Sequence, residues 1–297
     1  MKHLLKLLDC TPEEITSILD LADQLKYERK HHISHRLLEG KSIGLIFQKS
    51  STRTRVSFET GMFQLGGQAL FLSSRDLQIG RGEPVQDTAR VLSRYLDGIM
   101  IRTYEQKEVE DLAKYGSIPI INGLTDFCHP CQVLADLMTI REKYGVLKGL
   151  KMCYIGDGNN MANSLIVGGL KSDMQVSIAT PDNYRPAKEV LDFAAGNDAF
   201  TLVNDPIKAV ENADVVITDT WTSMGQEEEK KIRQQEKDAA EKAARDYEAK
   251  KNPVPESEVK KPLSGDPERP YCRGRAYDPS HYGRKRAAES DAEQTKE

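Results

Sequence analysis

Hydroxyls and arginines crowd into one short stretch, Ser51-Thr52-Arg53-Thr54-Arg55, where the apolar run from Ile43 to Phe47 gives way to a helix-like pattern. A helix N-terminus leaves N–H groups unpaired and carries positive dipole, so hydroxyls and forked guanidinium donors there suit a phosphate. The same residues also fit an ordinary N-capped helix with two solvated arginines. Arg102 stands just past the apolar run from Gly98 to Ile101, a sheet-end position where an arginine can meet a ligand, although an exposed surface arginine is commoner. His129 and Gln132 flank the start of another helical run, within which Cys128-His129-Pro130-Cys131 forms a C-x-x-C. That spacing fits a redox pair or half a zinc site, but no second pair follows to complete four ligands, and no metal is expected. Later, Gly156-Asp157-Gly158-Asn159-Asn160-Met161 follows a strand-like run, as a dinucleotide fingerprint would. The third small residue is missing at Met161, and the next strand ends Ala179-Thr180-Pro181 without an acid for a ribose, so no cofactor is expected.

Such groups converge only if the elements carrying them lie side by side. Thr11-Pro12-Glu13-Glu14 is a capping box with proline at the first helical position, followed by Ile15, Ile18, Leu19, Ala22 and Leu25 at helical spacing. From Ser42 onward, apolar runs alternate with longer helical patterns: Ile43 to Phe47, Gln68 to Leu72, Gly98 to Ile101 and Ile118 to Ile121. A helix from about Pro130 to Tyr144, ended by Gly145 and Gly149, precedes a second series: Lys151 to Ile155, Met174 to Ala179, Phe200 to Val203 and Asp214 to Thr218. This alternation predicts an α/β chain with two parallel sheets flanked by crossover helices, and active-site loops at the carboxyl ends of the strands.

Taken in order, Ser51 to Arg55, His129-Pro130-Cys131-Gln132 and Asp219-Thr220-Trp221-Thr222-Ser223-Met224-Gly225 resemble the transcarbamylase motifs. The last resembles the D-x-W-x-S-M-G loop of the ornithine carbamoyltransferase family in particular, and the similarity runs to about Gln235. The resemblance implies carbamoyl phosphate bound by Ser51, Thr52, Arg53, Thr54, Arg102, His129, Pro130, Cys131 and Gln132, with Arg53, Arg102 and His129 catalytic. Gln78, in the loop from Asp76 to Glu83, matches a position that reaches a neighbouring subunit's carbamoyl phosphate. Asn160, Asp219, Ser223 and Met224 match the ornithine-binding positions, with Asp219 pairing the α-amino group. The implied reaction gives L-citrulline and phosphate from carbamoyl phosphate and L-ornithine, in arginine metabolism, by a homotrimer. An attacking amine puts charge on the carbonyl oxygen as phosphate departs, which explains the wealth of donors. A non-catalytic carbamoyl phosphate or phosphate binder, and a transcarbamylase for another amine, are the rival readings.

The 297 residues suit about two domains. By the motifs these are a carbamoyl phosphate-binding domain at 1–130, a linking helix at 131–149 and an incomplete ornithine-binding domain at 150–225. Forty-two Lys and Arg against 46 Asp and Glu leave a net charge of -4, which gives no basic footprint for nucleic acid, and no apolar run is long enough to span a membrane. The first six residues lack the apolar core of a secretory signal, so the expected setting is cytoplasmic. From Gln226 to Lys250, i,i+4 pairs such as Glu229/Arg233 and Glu241/Arg245 predict one exposed charged helix. The proline-rich, aliphatic-poor remainder to Glu297 is expected to be disordered. The family's His-Cys-Leu-Pro strand and the later Arg have no match here, so impaired turnover is expected.

Overall fold

The computed structural model of the chain describes residues 2–78 and 82–219. Four strands, β1 (Ser42–Phe47), β2 (Gln68–Ser73), β3 (Gly98–Arg102) and β4 (Ile120–Leu124), form a parallel sheet in the order β2-β1-β3-β4. β1 is buried from Ile43 to Phe47, as expected of a central strand covered on both faces. Parallel neighbours need long crossovers, supplied here by α2 (Thr52–Gln64), α3 (Val85–Leu92) and α4 (Gln106–Tyr115). A second parallel sheet holds β5 (Lys151–Ile155), β6 (Gln175–Ala179), β7 (Phe200–Val203) and β8 (Val215–Thr218) in the order β7-β6-β5-β8. Its crossovers include α6 (Asn160–Lys171), α7 (Lys188–Ala194) and α8 (Pro206–Val210). The two-sheet α/β architecture expected from the alternating pattern is thus present.

The first helix, α1 (Pro12–Lys30), starts with the expected capping box: Thr11 Oγ1 accepts from the Glu14 N–H at 3.2 Å, and Glu14 Oε2 from the Thr11 N–H at 3.0 Å. It buries Ile15 and Leu19 in a core shared with α5 (Pro130–Tyr144), α6, β5 and β6. α5 begins at Pro130 and ends where Gly145 takes φ +79°, its N–H donating to the Arg141 carbonyl at 2.7 Å. α6 packs closely because Gly168 and Gly169 lack side chains: a Cβ there would lie 2.6 Å from Val133 Cγ1 and 2.6 Å from Val176 Cγ2, respectively.

β4 starts two residues later than the apolar run suggested. Pro119 has no N–H to give the ladder, so regular pairing begins at Ile120. Residue Leu4 adds a short parallel bridge on the outer side of β4, donating to the Ile120 carbonyl at 2.9 Å and accepting from the Asn122 N–H at 2.8 Å.

In each sheet the strand order reverses beside the first strand. The chain leaves β1 for β2 on one side and places β3 on the other; it leaves β5 for β6 on one side and places β8 on the other. Each reversal opens a crevice beyond the carboxyl ends of the two strands, the usual ligand position in such sheets.

Candidate active site

One cleft of about 1230 Å³ receives residues from both crevices. Lys49 to Arg55 follow β1, Arg102 ends β3 and Tyr104 follows it, and Asp126, His129, Cys131 and Gln132 lie between β4 and the first turn of α5. Asn159 to Met161 follow β5, and Asp219 follows β8.

Ser51 is the N-cap of α2. Its Oγ accepts from the Thr54 N–H at 3.2 Å and donates to Thr54 Oγ1 at 3.0 Å, and no acid occupies the first turn. The two arginines of the stretch part company here. Arg55 places its guanidinium 3.7 Å from the Phe71 ring centre and pairs with Glu59 at 2.9 Å, whereas among the described residues no carboxylate pairs with Arg53. Arg102 comes to the same place because β1 and β3 are neighbours: the Gln48 N–H donates to the Arg102 carbonyl at 2.9 Å. Its Nε is buried without a partner, and burial together with the Arg53 charge lowers its pKa. A cationic pocket with an unpartnered donor is built to receive an anion.

A bulge shapes the wall opposite. Ile101 pairs with Asn122 but Arg102 with Leu124, leaving Gly123 as the extra residue beside the cleft. A Cβ on Gly123 would lie 2.4 Å from Met100 Sδ.

His129 occupies the N-cap position of α5 without a side-chain cap bond. Its N–H donates to Ser164 Oγ at 2.8 Å, and that hydroxyl donates to the Asn160 carbonyl at 2.7 Å, tying the starts of α5 and α6 together. The imidazole Nδ1 is buried without a partner, and burial followed by the Arg102 charge pushes its pKa down to about 4. At neutral pH the ring is therefore uncharged. Pro130 is buried at the first helical position and does not line the cleft, whereas Cys131 does. The C-x-x-C sulfurs both meet Asn122: its Nδ2 donates to Cys128 Sγ at 3.2 Å, and Cys131 Sγ donates to its carbonyl at 3.4 Å. Burial pushes each thiol up to about 12.

From the second sheet, Asn159 Oδ1 caps α6 by accepting from the Met161 and Ala162 N–H groups at 2.9 and 3.3 Å. Asn160 Nδ2 donates to the Thr125 carbonyl at 2.7 Å, which holds the β5 loop to the first sheet's wall. The glycine loop is filled by its own chain. The Gly158 N–H donates to the Tyr184 carbonyl at 2.8 Å, and a Cβ there would lie 2.3 Å from the Arg185 carbonyl carbon.

Gln78 is exposed and does not line the cleft of its own chain. Ser223 and Met224 lie outside the described residues, as do the predicted charged helix, the tail and the stretch in which a His-Cys-Leu-Pro strand would fall. Three groups near the cleft escaped sequence reasoning. Glu108, on α4, accepts from Gln48 Nε2 at 3.0 and 3.1 Å and from Thr103 Oγ1, bridging the ends of β1 and β3. Lys49 pairs with Asp126 and lies 4.3 Å from the Tyr104 ring centre. Asp136, one turn after Gln132, accepts from Gln132 Nε2 at 2.9 Å. Of these only Asp136 had a local signal, its i,i+4 spacing.

Two parallel sheets whose switch points share one donor-rich cleft are the architecture of the aspartate/ornithine carbamoyltransferases. Residues 2–142 match the family's carbamoyl-P binding domain, and residues 148–247 its Asp/Orn binding domain. The ornithine carbamoyltransferase of Pyrococcus abyssi is 58% identical over 233 residues, covering 77% of this chain and 74% of that protein. The solved ornithine carbamoyltransferase of Pyrococcus furiosus superposes with a TM-score of 0.75 at 55% identity, covering 78% of this chain and 77% of that one. The anabolic enzyme of Campylobacter jejuni gives 0.74 at 41% identity, covering 80% and 79%. The chain belongs to the ornithine carbamoyltransferase family.

Among the described residues, no helix is long and apolar enough to cross a membrane, and no group of three or more His, Cys, Asp or Glu side chains is placed to hold a metal ion.

Proposed function

We propose that this chain transfers the carbamoyl group of carbamoyl phosphate to the side-chain amine of L-ornithine, releasing L-citrulline and phosphate. The observation that carries the reading is the meeting of Ser51, Thr52, Arg53, Thr54, Arg102, His129 and Gln132 with Asn160 and Asp219 in one cleft. In this reading the α2 N-terminus, Arg53 and Arg102 hold the phosphate, which leaves with the electron pair of its bond to carbon. The amine lone pair forms the new C–N bond, and the nitrogen's surplus proton passes to phosphate or water. As attack begins, the carbonyl oxygen gains charge that Arg102, Thr54 and the neutral imidazole of His129 offset by donating to it. Asp219 takes the α-amino group, leaving the other amine free to approach the carbon. Ser223 and Met224 complete the amino-acid site by family resemblance.

The reading extends to a cytoplasmic homotrimer. The position of Gln78, exposed and away from its own cleft, supports its serving a neighbouring copy. Calorimetric titration tests the anion half: carbamoyl phosphate should bind wild type, and Arg53→Ala should weaken it by roughly tenfold to a hundredfold, the loss of one charged hydrogen-bonding partner. Citrulline release with ornithine, set against turnover with putrescine and aspartate, tests the amine half. Binding without product from any amine would leave the chain a carbamoyl phosphate-binding protein.

A further inference from the structure

Gln132 reaches the cleft from the third position of α5, where its side chain can present either end of its amide. The two ends do opposite things, since the oxygen only accepts hydrogen bonds and the nitrogen only donates them. Asp136 removes the choice. It sits one turn further along α5, half-buried and not among the residues that line the cleft, and accepts from Gln132 Nε2 at 2.9 Å. An ionised carboxylate has no hydrogen to give, so the glutamine must turn its –NH2 toward Asp136, which leaves Oε1 as the end available to the cleft. The other groups around the expected carbamoyl position, Arg53, Arg102, Thr54 and His129, are all able to donate. They suit a carbonyl oxygen. A carbamoyl group differs from an acetyl group of the same shape only in carrying N–H donors, and Gln132 Oε1 is the acceptor that the bond of Nε2 to Asp136 leaves for such a donor.

We propose that Asp136 is a positioning residue which fixes the Gln132 amide with its oxygen toward the cleft, so that the site selects a carbamoyl –NH2 over a methyl group. The inference rests on the carbamoyl phosphate reading above and adds to it the origin of acyl-group selectivity. A site that hydrogen-bonds a substrate N–H discriminates against an analogue lacking it, because the analogue leaves the site's acceptor unpaired. Burial, and after it the neighbouring Asp219, raises the Asp136 carboxyl while the Gln132 bond lowers it, so selectivity belongs to the pH range in which Asp136 is ionised.

The test compares carbamoyl phosphate as substrate with acetyl phosphate as competitive inhibitor at pH 8. In Asp136→Asn, the new amide can donate to Gln132 Oε1 and let the glutamine turn round. The KM for carbamoyl phosphate should rise about tenfold, the inhibition constant of acetyl phosphate should change less than twofold, and kcat should fall less than KM rises. Inorganic phosphate inhibition should be unchanged, which shows the variant site to be folded. The double variant Gln132→Glu/Asp136→Asn keeps the net charge and restores an acceptor facing the cleft, because the glutamate can accept from the introduced asparagine amide with one oxygen and present the other. It should recover most of the lost selectivity. If wild type fails to bind carbamoyl phosphate, the functional reading itself falls. If wild type binds and discriminates but Asp136→Asn keeps the same carbamoyl-to-acetyl ratio, or the double variant recovers none of it, the assignment of Asp136 is wrong and the reading stands.

Discussion

Replacing His129 with Asn should abolish a loss of stability of about 3.5 kcal/mol that the wild-type imidazole brings between pH 6.5 and pH 4. In the folded chain burial, reinforced by the Arg102 charge, brings the His129 pKa down to about 4. An unfolded histidine titrates near 6.5, so through that interval the unfolded chain binds a proton that the folded chain refuses. The folded pKa is the lower one, so the full contribution is present above pH 6.5 and is lost as pH falls through the folded value. Each pH unit between the unfolded and folded values corresponds to about 1.4 kcal/mol, and the interval of roughly 2.5 pH units gives the figure above. Urea unfolding of wild type and His129→Asn at about pH 7.5, 6.5, 5.5 and 4.5 isolates the effect, because carboxylates elsewhere titrate in both proteins and cancel in the difference. That difference should be flat above pH 6.5 and fall by about 1.4 kcal/mol per pH unit below it. Parallel curves down to the lowest pH would falsify the buried, cation-facing environment assigned to the ring. Two refinements bear on the cause: Arg102→Gln should move the imidazole midpoint upward in an NMR titration, and saturating inorganic phosphate should do the same by offsetting the arginine charge. Since the ring is neutral through the usual assay range, any acid limb of kcat/KM above about pH 6 belongs to another group, with the protonated amine substrate the foremost candidate.

Ser51→Ala removes the α2 cap and should cost about 1 kcal/mol in urea unfolding, with Ser51→Asn recovering most of it. Gly158→Ala should cost about 1 to 3 kcal/mol, because the added carbon meets the Tyr184 to Pro186 backbone; Gly123→Ala should cost less, since its nearest neighbour is the flexible side chain of Met100, at Sδ. Paired melting curves decide the order. Cys128 and Cys153 are buried and their thiols are pushed up to about 12, so at pH 8 only about one in ten thousand is a thiolate. Alkylation of these two cysteines by iodoacetamide, located by peptide mapping, should be negligible in the native chain and rapid in urea, with their labelling at native pH 8 counting against the packing.

What could be read from sequence was what depends on residues a few positions apart. The α1 capping box, the Ser51 cap and the Pro130 and Gly145 limits of α5 are all local and were all legible. Where apolarity alone was the guide, as at Ile118 and Pro119, the strand start was misplaced because backbone pairing rather than side-chain character defines a strand. The partners of Glu108 and Asp126 are distant in sequence, Gln48 by 60 residues and Lys49 by 77, so no spacing rule reaches them. The Gly156 to Met161 stretch resembles half of a dinucleotide fingerprint because sequence shows the glycines but not the Tyr184 to Pro186 segment lying on Gly158, nor the Tyr154 side chain against Gly156.

The deeper part of the site was hidden in strand order. Sequence shows that Arg53, Arg102, Asn160 and Asp219 each follow a strand, but their convergence requires β1 beside β3 and β5 beside β8, which only packing of the whole sheets determines. That order also sorts the charges. Lys49, Arg53, Arg55 and Arg102 come from the first sheet's crevice, while the second contributes Asp219 and the amides of Asn159 and Asn160. In the proposed reaction an anionic reactant and a cationic one would therefore be drawn to opposite walls, each by the sign it needs. The amine must lose its proton to attack, and a neutral His129 beside Arg102 adds no carboxylate that would hold that proton in place. Asp219 comes from the second sheet's crevice, where the proposed reading pairs it with the amino group that does not react. A single crevice lined by both signs would have paired its own charges first, as Lys49 and Asp126 do at the rim; dividing them between two sheets keeps Arg53 and Arg102 unneutralised until the substrate arrives.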